Sequence, residues 1–176
     1  IFIFFIFKLL GIKISSFVGG KLFQLIGPFF RSKNITHKNI KRAFPDIDQI
    51  KLNKIVSSMW NNYGRVFAEY VFIKKFRYGK LSRNITVDGQ NILNKIKNDN
   101  QKVIFVSGHF SNFELMAMQL DQLELKIAAI YRPLNNIFLN RTMEKIRKKY
   151  ICKNQVRKGI GGLKELIKLN REGYST

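Results

Sequence analysis

The first thirty residues constrain the fold most, because they carry only three charges, Lys8, Lys13 and Lys21, among apolar and small residues. A full membrane span needs about 20 uninterrupted apolar residues, and the lysines interrupt this stretch. At about 100° per residue, they also fail to share one polar helix face. A secretory signal peptide is disfavoured because no short polar segment with small residues ends the stretch, whereas a buried core helix stays an alternative. We predict that residues 1–30 form a membrane anchor that inserts into the bilayer or lies at its interface.

The charge balance predicts anionic partners. Thirty-two Lys and Arg residues against eleven Asp and Glu give a net charge of +21, which favours nucleic acid, a phospholipid surface or an acidic protein or substrate. The segment after the anchor, "RSKNITHKNIKR", is suited to lipid phosphates on the cytoplasmic leaflet. Its basic residues are Arg31, Lys33, Lys38, Lys41 and Arg42. We therefore expect an anionic membrane surface as one partner, with His37 simply solvated among these charges.

Residues 50–73 repeat apolar side chains at the spacing of one helix face. These are Leu52, Ile55, Val56, Met59, Tyr63, Val66, Phe67 and Tyr70. The pattern predicts an amphipathic helix, and with the basic linker before it we assign residues 31–79 to one region. Arg65 and Glu69 are four residues apart, so they either pair on the surface of this helix or belong to a site, and the sequence leaves both open.

From residue 80 onward, strand patterns alternate with helix patterns. "NITVDG" (84–89) predicts a short strand and turn, "QKVIFVSG" (101–108) a buried strand and "LKIAAIYRP" (125–133) another strand. Helices are predicted between them, over 90–100 and 113–123, and after them, over 136–150 and 159–173. The fold class is therefore α/β: a membrane-associated helix and an amphipathic helix, followed over residues 80–176 by a strand-helix-strand core.

The motif "GHFSNFEL" places His109 five positions before Glu114. Positions five apart point about 140° away from each other in a helix, so the two side chains meet only if His109 lies outside it. Gly108 ends the predicted strand, and Ser111 or Asn112 can begin the helix. His109 is then in a turn at the carboxyl end of a strand, where a carboxylate could orient it as a general base.

Other interpretations of this motif are available. His109 could be a capped loop residue, and Glu114 could merely complement the helix dipole. A Ser–His hydrolase is disfavoured because the chain has no G-x-S-x-G motif. A catalytic metal would need a third ligand, and the only other histidine lies in the basic linker. The single Cys152 excludes an internal disulfide and a multi-cysteine zinc site, so we expect it to be inert, and we expect no metal and no cofactor.

Four stretches, taken in order, resemble the lipid A late acyltransferases, the lauroyl and myristoyl transferases of Gram-negative lipopolysaccharide synthesis. They are "NIKRAFPDI", "YGRVFAEYV", "GHFSNFEL" and "YRPLNNIFLN". The resemblance implies a core like that of the glycerophosphate acyltransferases, with His109 and Glu114 as the catalytic pair. It also implies an essential arginine in the helix after the Tyr-Arg-Pro block, which Arg147 matches. The family's later segment is absent, so we expect a fragment that is incomplete at its C-terminal end.

The pattern of that helix supports Arg147 independently. Leu139, Met143, Ile146 and Tyr150 form its apolar stripe, and Arg147 alone of the basic residues borders it. Its alternative role is structural, with the apolar stem buried and the charged head in water.

The function expected from these observations is transfer of an acyl chain from an acyl carrier protein thioester to a hydroxyl of a lipid A precursor. His109 would be the base and Glu114 its orienter. Arg147 and Arg132 would bind phosphate or the developing oxyanion, and Asn112 and Asn135 complete the candidate substrate contacts. The resemblance places this activity at the cytoplasmic face of the bacterial inner membrane.

Two alternatives compete with this function. The acceptor could be another glycolipid or a glycerophosphate, because related acyltransferases share histidine–acid motifs. The chain could instead be a basic, non-catalytic nucleic-acid-binding protein. Nucleic acid is disfavoured because the aromatic residues cluster in the apolar N-terminal stretch and on helix faces, rather than alternating with Arg and Lys on an exposed sheet.

Overall fold

The computed structural model describes residues 2–176, so Ile1 of the predicted anchor lies outside the described residues. The chain divides into two compact units, one ending at Phe72 and the other spanning Ile73–Thr176. The domain boundaries expected from sequence, after residues 30 and 79, stay predictions.

The first unit consists of helices. Its elements are α1 (Phe2–Phe30), α2 (Lys33–Ala43), α3 (Gln49–Glu69) and a short 3-10 turn (Tyr70–Phe72). α1 is interrupted at Gly11, whose φ of 74° and ψ of 165° lie outside the helical region. The amphipathic helix expected from sequence is confirmed as α3. The stretch expected to be a basic linker forms α2, a helix without any acidic residue.

α1 buries mainly small residues, with Phe7 as the large exception, and it exposes many of its large apolar side chains. Its buried positions are Phe7, Ser15, Ser16, Gly19, Gly20 and Gly27. Its exposed side chains include Phe2, Phe5, Leu9, Leu25 and Phe29. An amphipathic helix of a soluble protein shows the opposite distribution, whereas helices in bilayers pack through small residues. By length and composition α1 could cross a membrane, and its outward face favours lipid contact.

Glycines allow α1 and α3 to approach closely. A Cβ added to Gly64 would lie 2.1 Å from the carbonyl oxygen of Gly19, and one added to Gly19 would lie 2.6 Å from that of Gly64. A Cβ on Gly27 would lie 2.3 Å from the ring of Trp60. These distances are too short for any side chain, so the helix pair requires glycine at each position.

Polar side chains also link these two helices. The Ser16 hydroxyl donates to Glu69 Oε1 at 2.8 Å and accepts from Arg65 Nη1 at 3.2 Å. Arg65 Nε donates to Asn61 Oδ1 at 2.7 Å, and Asn61 in turn donates to Gln24 Oε1 at 3.2 Å. Arg65 and Glu69 therefore join α3 to α1. They do not merely pair with each other on the surface of α3, which was one of the two possibilities left open by the sequence. Such bonds stabilise a helix pair whose polar groups have little access to water.

The second unit combines five α-helices, a short 3-10 turn (Ser82–Asn84) and two strands among the described residues. The helices are α4 (Ile73–Tyr78), α5 (Gln90–Asn98), α6 (Glu114–Gln122), α7 (Ile137–Tyr150) and α8 (Ile160–Arg171). The strands are β1 (Ala128–Tyr131) and β2 (Asn154–Arg157), which pair in parallel with Ala128 opposite Asn154. α7 connects them, as the crossover helix of a βαβ unit must.

Residues 101–108 differ from the sequence prediction of a buried strand. They form no regular strand, and Ile104 and Val106 are 80% and 91% exposed. Their backbone pairing extends over few residues. Thr176 N–H donates to the carbonyl of Val103 at 3.1 Å, and Phe105 N–H donates to the carbonyl of Thr176 at 2.7 Å. With so little backbone pairing, the segment forms no strand, and Ile104 and Val106 stay in solvent while Val103 and Phe105 are half-buried.

The α/β fold class is confirmed in coarse form, as a mostly helical chain with a small parallel sheet. β1 and the helices α5 to α8 are where the sequence places them. The short strand predicted at 84–89 is wrong, because a 3-10 turn ends at Asn84 and the residues after it form no strand. β2 was not predicted. The strand-helix-strand acyltransferase core stays a prediction. Cys152 is buried, and burial raises the pKa of its thiol to about 11, which agrees with the inert residue expected from sequence.

Close packing predicts that Gly64→Ala destabilises the first unit. The added methyl group overlaps backbone atoms of Gly19, and overpacking of this kind costs about 1–3 kcal/mol. The measurement is chemical denaturation in detergent micelles, followed by the fluorescence of Trp60, the only tryptophan of the chain.

Ser58→Ala is the matched control, because Ser58 is exposed on the same helix and alanine is the better helix former. It should leave stability unchanged or slightly higher. Equal stabilities of the two variants would contradict the close approach of α1 and α3.

Candidate active site

His109 lies in the irregular segment that precedes α6. The helix begins at Glu114, so the prediction that His109 lies outside the helix is confirmed. Ser111 has a φ of 44°, a left-handed conformation that turns the chain between His109 and the helix. The imidazole is exposed to solvent, and its ring centroid lies 4.4 Å from that of Phe113. Because the imidazole is exposed, with one ring contact to Phe113, a hydroxyl group could reach it from solvent.

Glu114 is buried, with only 6% of its surface exposed. The apolar spacing at Phe113, Met116, Ala117, Leu120 and Leu123 predicts from sequence that Glu114 lies off the buried side of its helix, and this prediction is wrong. The buried positions of α6 are Glu114, Met118 and Leu120, while Met116, expected in the apolar stripe, is 40% exposed. The buried side of α6 therefore includes the acid, which a basic partner from another helix accompanies into the interior.

That partner is Arg147 of α7. Its Nε donates to Glu114 Oε1 at 2.9 Å, and its Nη2 donates to the same oxygen. The Arg147 side chain is only 16% exposed, as expected for a residue that borders the apolar stripe of α7. A buried ion pair is costly to break because removal of one partner leaves an uncompensated charge. The structure thus brings together two residues that the sequence singled out separately.

The hydrogen bond between His109 and Glu114 stays a prediction. Both residues stand at the same loop–helix junction, with His109 against Phe113 and Glu114 engaged by Arg147. Hydrogen bonds of catalytic pairs often tighten only when substrate is bound.

A second group of polar residues adjoins Arg147. The guanidinium carbon of Arg147 lies 5.8 Å from the ring centre of Tyr131, a cation–π contact. The Tyr131 hydroxyl donates to Glu144 Oε1 at 2.6 Å and accepts from Arg157 Nε at 3.0 Å. The hydrogen bond from Tyr131, with the charge of Arg157, lowers the pKa of Glu144, and burial raises the pKa of Tyr131. This network holds α7 against both strands.

Arg77 fixes the relative position of α6 and α7. Its Nη2 donates to Asp121 Oδ2 on α6 at 2.6 Å, and its Nη1 donates to the carbonyl of Tyr150 at 3.2 Å, at the end of α7. A guanidinium at the negative end of a helix dipole is favourable. One residue of α4 therefore orients the two helices that carry Glu114 and Arg147.

Sequence reasoning missed Tyr131, Glu144, Arg157 and Arg77 as contributors to the site. The sequence could have indicated two of them. Tyr131 belongs to the quoted Tyr-Arg-Pro block, and Glu144 is three residues before Arg147 on the same helix face. Arg157 lies on the unpredicted β2, and no sequence signal distinguishes Arg77 from its basic neighbours.

The other candidate residues lie in loops. Asn112 is half-buried in the turn before α6, where its carbonyl accepts from Leu115 N–H at 3.2 Å. Arg132 and Asn135 are exposed in the loop between β1 and α7. Within residues 2–176, no three or more His, Cys, Asp or Glu side chains are grouped to hold a metal ion.

The ion pair predicts that Arg147→Ala destabilises the second unit. The variant leaves the buried Glu114 carboxylate without its guanidinium, which costs about 3 kcal/mol. The measurement is the free energy of unfolding from urea titration followed by circular dichroism. Arg141→Ala removes the same side chain from an exposed position of α7 and should change stability by less than about 0.5 kcal/mol. An equal, small effect of both changes would contradict the buried pair.

Comparison with known proteins gives the same family as the motifs. Residues 1–176 match the family model described as bacterial lipid A biosynthesis acyltransferase. The chain is 25% identical over 154 residues to the lipid A biosynthesis palmitoleoyltransferase of Escherichia coli (strain K12), an alignment that covers 85% of this chain and 50% of that protein. The lipid A biosynthesis acyltransferase of Shigella flexneri gives the same identity and coverage. No solved structure matches the chain.

The chain thus spans half the length of the curated relatives it matches. The family match includes both the apolar N-terminal helix and the unit that holds Glu114 and Arg147. The resemblance inferred from the four motifs is therefore confirmed: the chain belongs to the bacterial lipid A biosynthesis acyltransferase family.

Proposed function

We propose that the chain carries the histidine–carboxylate site of an enzyme that moves a fatty acyl chain from an acyl carrier protein thioester to a hydroxyl of a lipid A precursor. The observation that carries this proposal is Glu114, a carboxylate buried at the start of α6, beside the loop of His109, and held by Arg147. Buried and paired ionisable groups next to an exposed histidine are typical of catalytic sites. Membership of the family supports the acceptor class.

In the proposed step, His109 removes the proton of the acceptor hydroxyl while the hydroxyl oxygen attacks the thioester carbonyl carbon. A carbon–oxygen ester bond forms and the carbon–sulfur bond breaks. The imidazolium then returns its proton to the departing thiolate, so the products are an acyl ester and a free thiol. General-base assistance of this kind contributes about 10²–10⁴-fold to the rate.

Glu114 has the role of orienting His109. A carboxylate that accepts from the imidazole fixes its tautomer and stabilises the charged form. Arg147 donates both of its described bonds to Oε1 of Glu114, so we assign it to hold the carboxylate in place. The competing role, expected from sequence, is direct binding of substrate phosphate or oxyanion.

Three loop residues complete the proposal as substrate contacts. Arg132 can donate two parallel hydrogen bonds to a phosphate, and its exposure in the loop after β1 leaves it accessible. Asn112 and Asn135 can donate or accept through their amides.

The proposed location is the cytoplasmic face of the bacterial inner membrane. The outward apolar face of α1 would contact lipid, and the basic α2 would meet anionic headgroups. A net charge of +21 is complementary to an acidic carrier protein and to a phosphorylated glycolipid.

The mechanism predicts that His109→Ala and Glu114→Ala each lower kcat strongly with little change in KM. Because the two residues act as one unit, the double variant should be scarcely slower than the slower single variant. The measurement is acyl transfer from carrier-bound donor to lipid A precursor, by protein expressed from its complete gene, normalised to folded protein.

Lys102→Ala and Glu165→Ala are the controls, because both residues are exposed and lie outside the proposed site. Near-normal turnover of folded His109→Ala protein would reject His109 as the base. Glycerol phosphate is tested as acceptor in parallel, and faster acylation of it than of the lipid A precursor would reject the proposed acceptor.

A further inference from the structure

A cleft of about 230 Å³ lies among the three helices of the first unit. It is lined by Gln24 and Arg31 from the end of α1 and just beyond, by His37 from α2, and by Ser57 and Trp60 from α3. Sites for drug-sized ligands measure about 300–1,000 Å³. The cleft is therefore suited to a small group, such as a single phosphate with its substituent.

The chemistry of the lining favours an anion. Arg31 and His37 supply cationic or donor groups, and none of the described residues that line the cleft is Asp or Glu. Gln24 Nε2 donates to the Ser57 hydroxyl oxygen at 2.9 Å, so the hydroxyl proton of Ser57 is left to donate elsewhere. A guanidinium, an imidazole and a hydroxyl together are typical donors to phosphate oxygens.

The position of the cleft favours a lipid as the source of that phosphate. Arg31 directly follows the apolar α1, at the point where a membrane-inserted helix reaches the headgroup layer. Trp60 has its ring packed against Gly27 of α1, and tryptophan is enriched at this depth of the bilayer. Around the cleft, α2 carries basic residues and no acidic ones.

We propose that this cleft between α1, α2 and α3 binds the phosphate headgroup of an anionic phospholipid. His37, expected from sequence to be simply solvated, is then a ligand-binding residue. The proposal relies on α1 as the membrane anchor and is independent of the acyl-transfer chemistry of His109. Binding at this cleft would fix the depth and orientation of the first unit in the bilayer.

Trp60 is the only tryptophan in the chain, so its fluorescence reports binding directly. The protein in neutral detergent micelles is titrated with short-chain phosphatidylglycerol, with short-chain phosphatidylcholine and with inorganic phosphate. We expect a saturable change with phosphatidylglycerol and an affinity at least about tenfold lower for the other two probes. An equal response to phosphatidylcholine would overturn the anionic selectivity, and an equal response to inorganic phosphate would overturn the lipid source.

Arg31→Gln should weaken phosphatidylglycerol binding about tenfold, the loss of one charge-assisted hydrogen-bonding group. Arg42→Gln is the matched control, because it removes the same charge from the same basic region outside the cleft. Equal weakening by both changes would show diffuse electrostatic attraction and overturn the site. His37→Gln, a second change inside the cleft, should also weaken phosphatidylglycerol binding. Circular dichroism verifies the helix content of each variant.

Discussion

The buried ion pair between Glu114 and Arg147 is the interaction on which the candidate site depends. A carboxylate at a core position of α6 is tolerated only when fixed donors offset its loss of hydration, and α7 supplies them. The orientation of α7 is in turn set by Arg77 at its C-terminal end and by the Tyr131 hydroxyl along its length. The contacts that pack α7 in the second unit therefore also hold Glu114 at the junction between the His109 loop and α6.

The first unit follows a different principle, because small and polar residues join aromatic rings in the contact between its helices. Gly19 and Gly64 bring the backbones of α1 and α3 together, and Ser16 hydrogen-bonds both Arg65 and Glu69 across the interface. Many large apolar residues of α1, such as Phe2, Leu9, Leu25 and Phe29, face outward, which is favourable in lipid and costly in water. The same two helices line the basic cleft through other residues, among them Gln24 and Trp60, so the proposed anchor and the proposed headgroup site share one helix pair.

Local sequence patterns predicted the elements that local interactions determine. The apolar spacing of residues 50–73 gave α3, and the spacing between His109 and Glu114 placed the histidine outside α6. The patterns failed where partners distant in sequence decide the outcome. Glu114 is buried because Arg147 reaches it, residues 101–108 lack a strand because little chain pairs with them, and β2 forms because α7 returns the chain beside β1. No periodicity within any of these segments contains that information.

The proposed role of Arg147 in catalysis is to hold Glu114 in place. It is tested most directly by a kinetic cycle of Glu114→Gln, Arg147→Lys and the double variant, measured as kcat/KM for acyl transfer by protein expressed from its complete gene. If Arg147 acts through Glu114, the double variant should be about as slow as the slower single variant. If the two losses multiply, Arg147 acts on substrate independently of Glu114, and that result would contradict its role as the residue that holds the carboxylate.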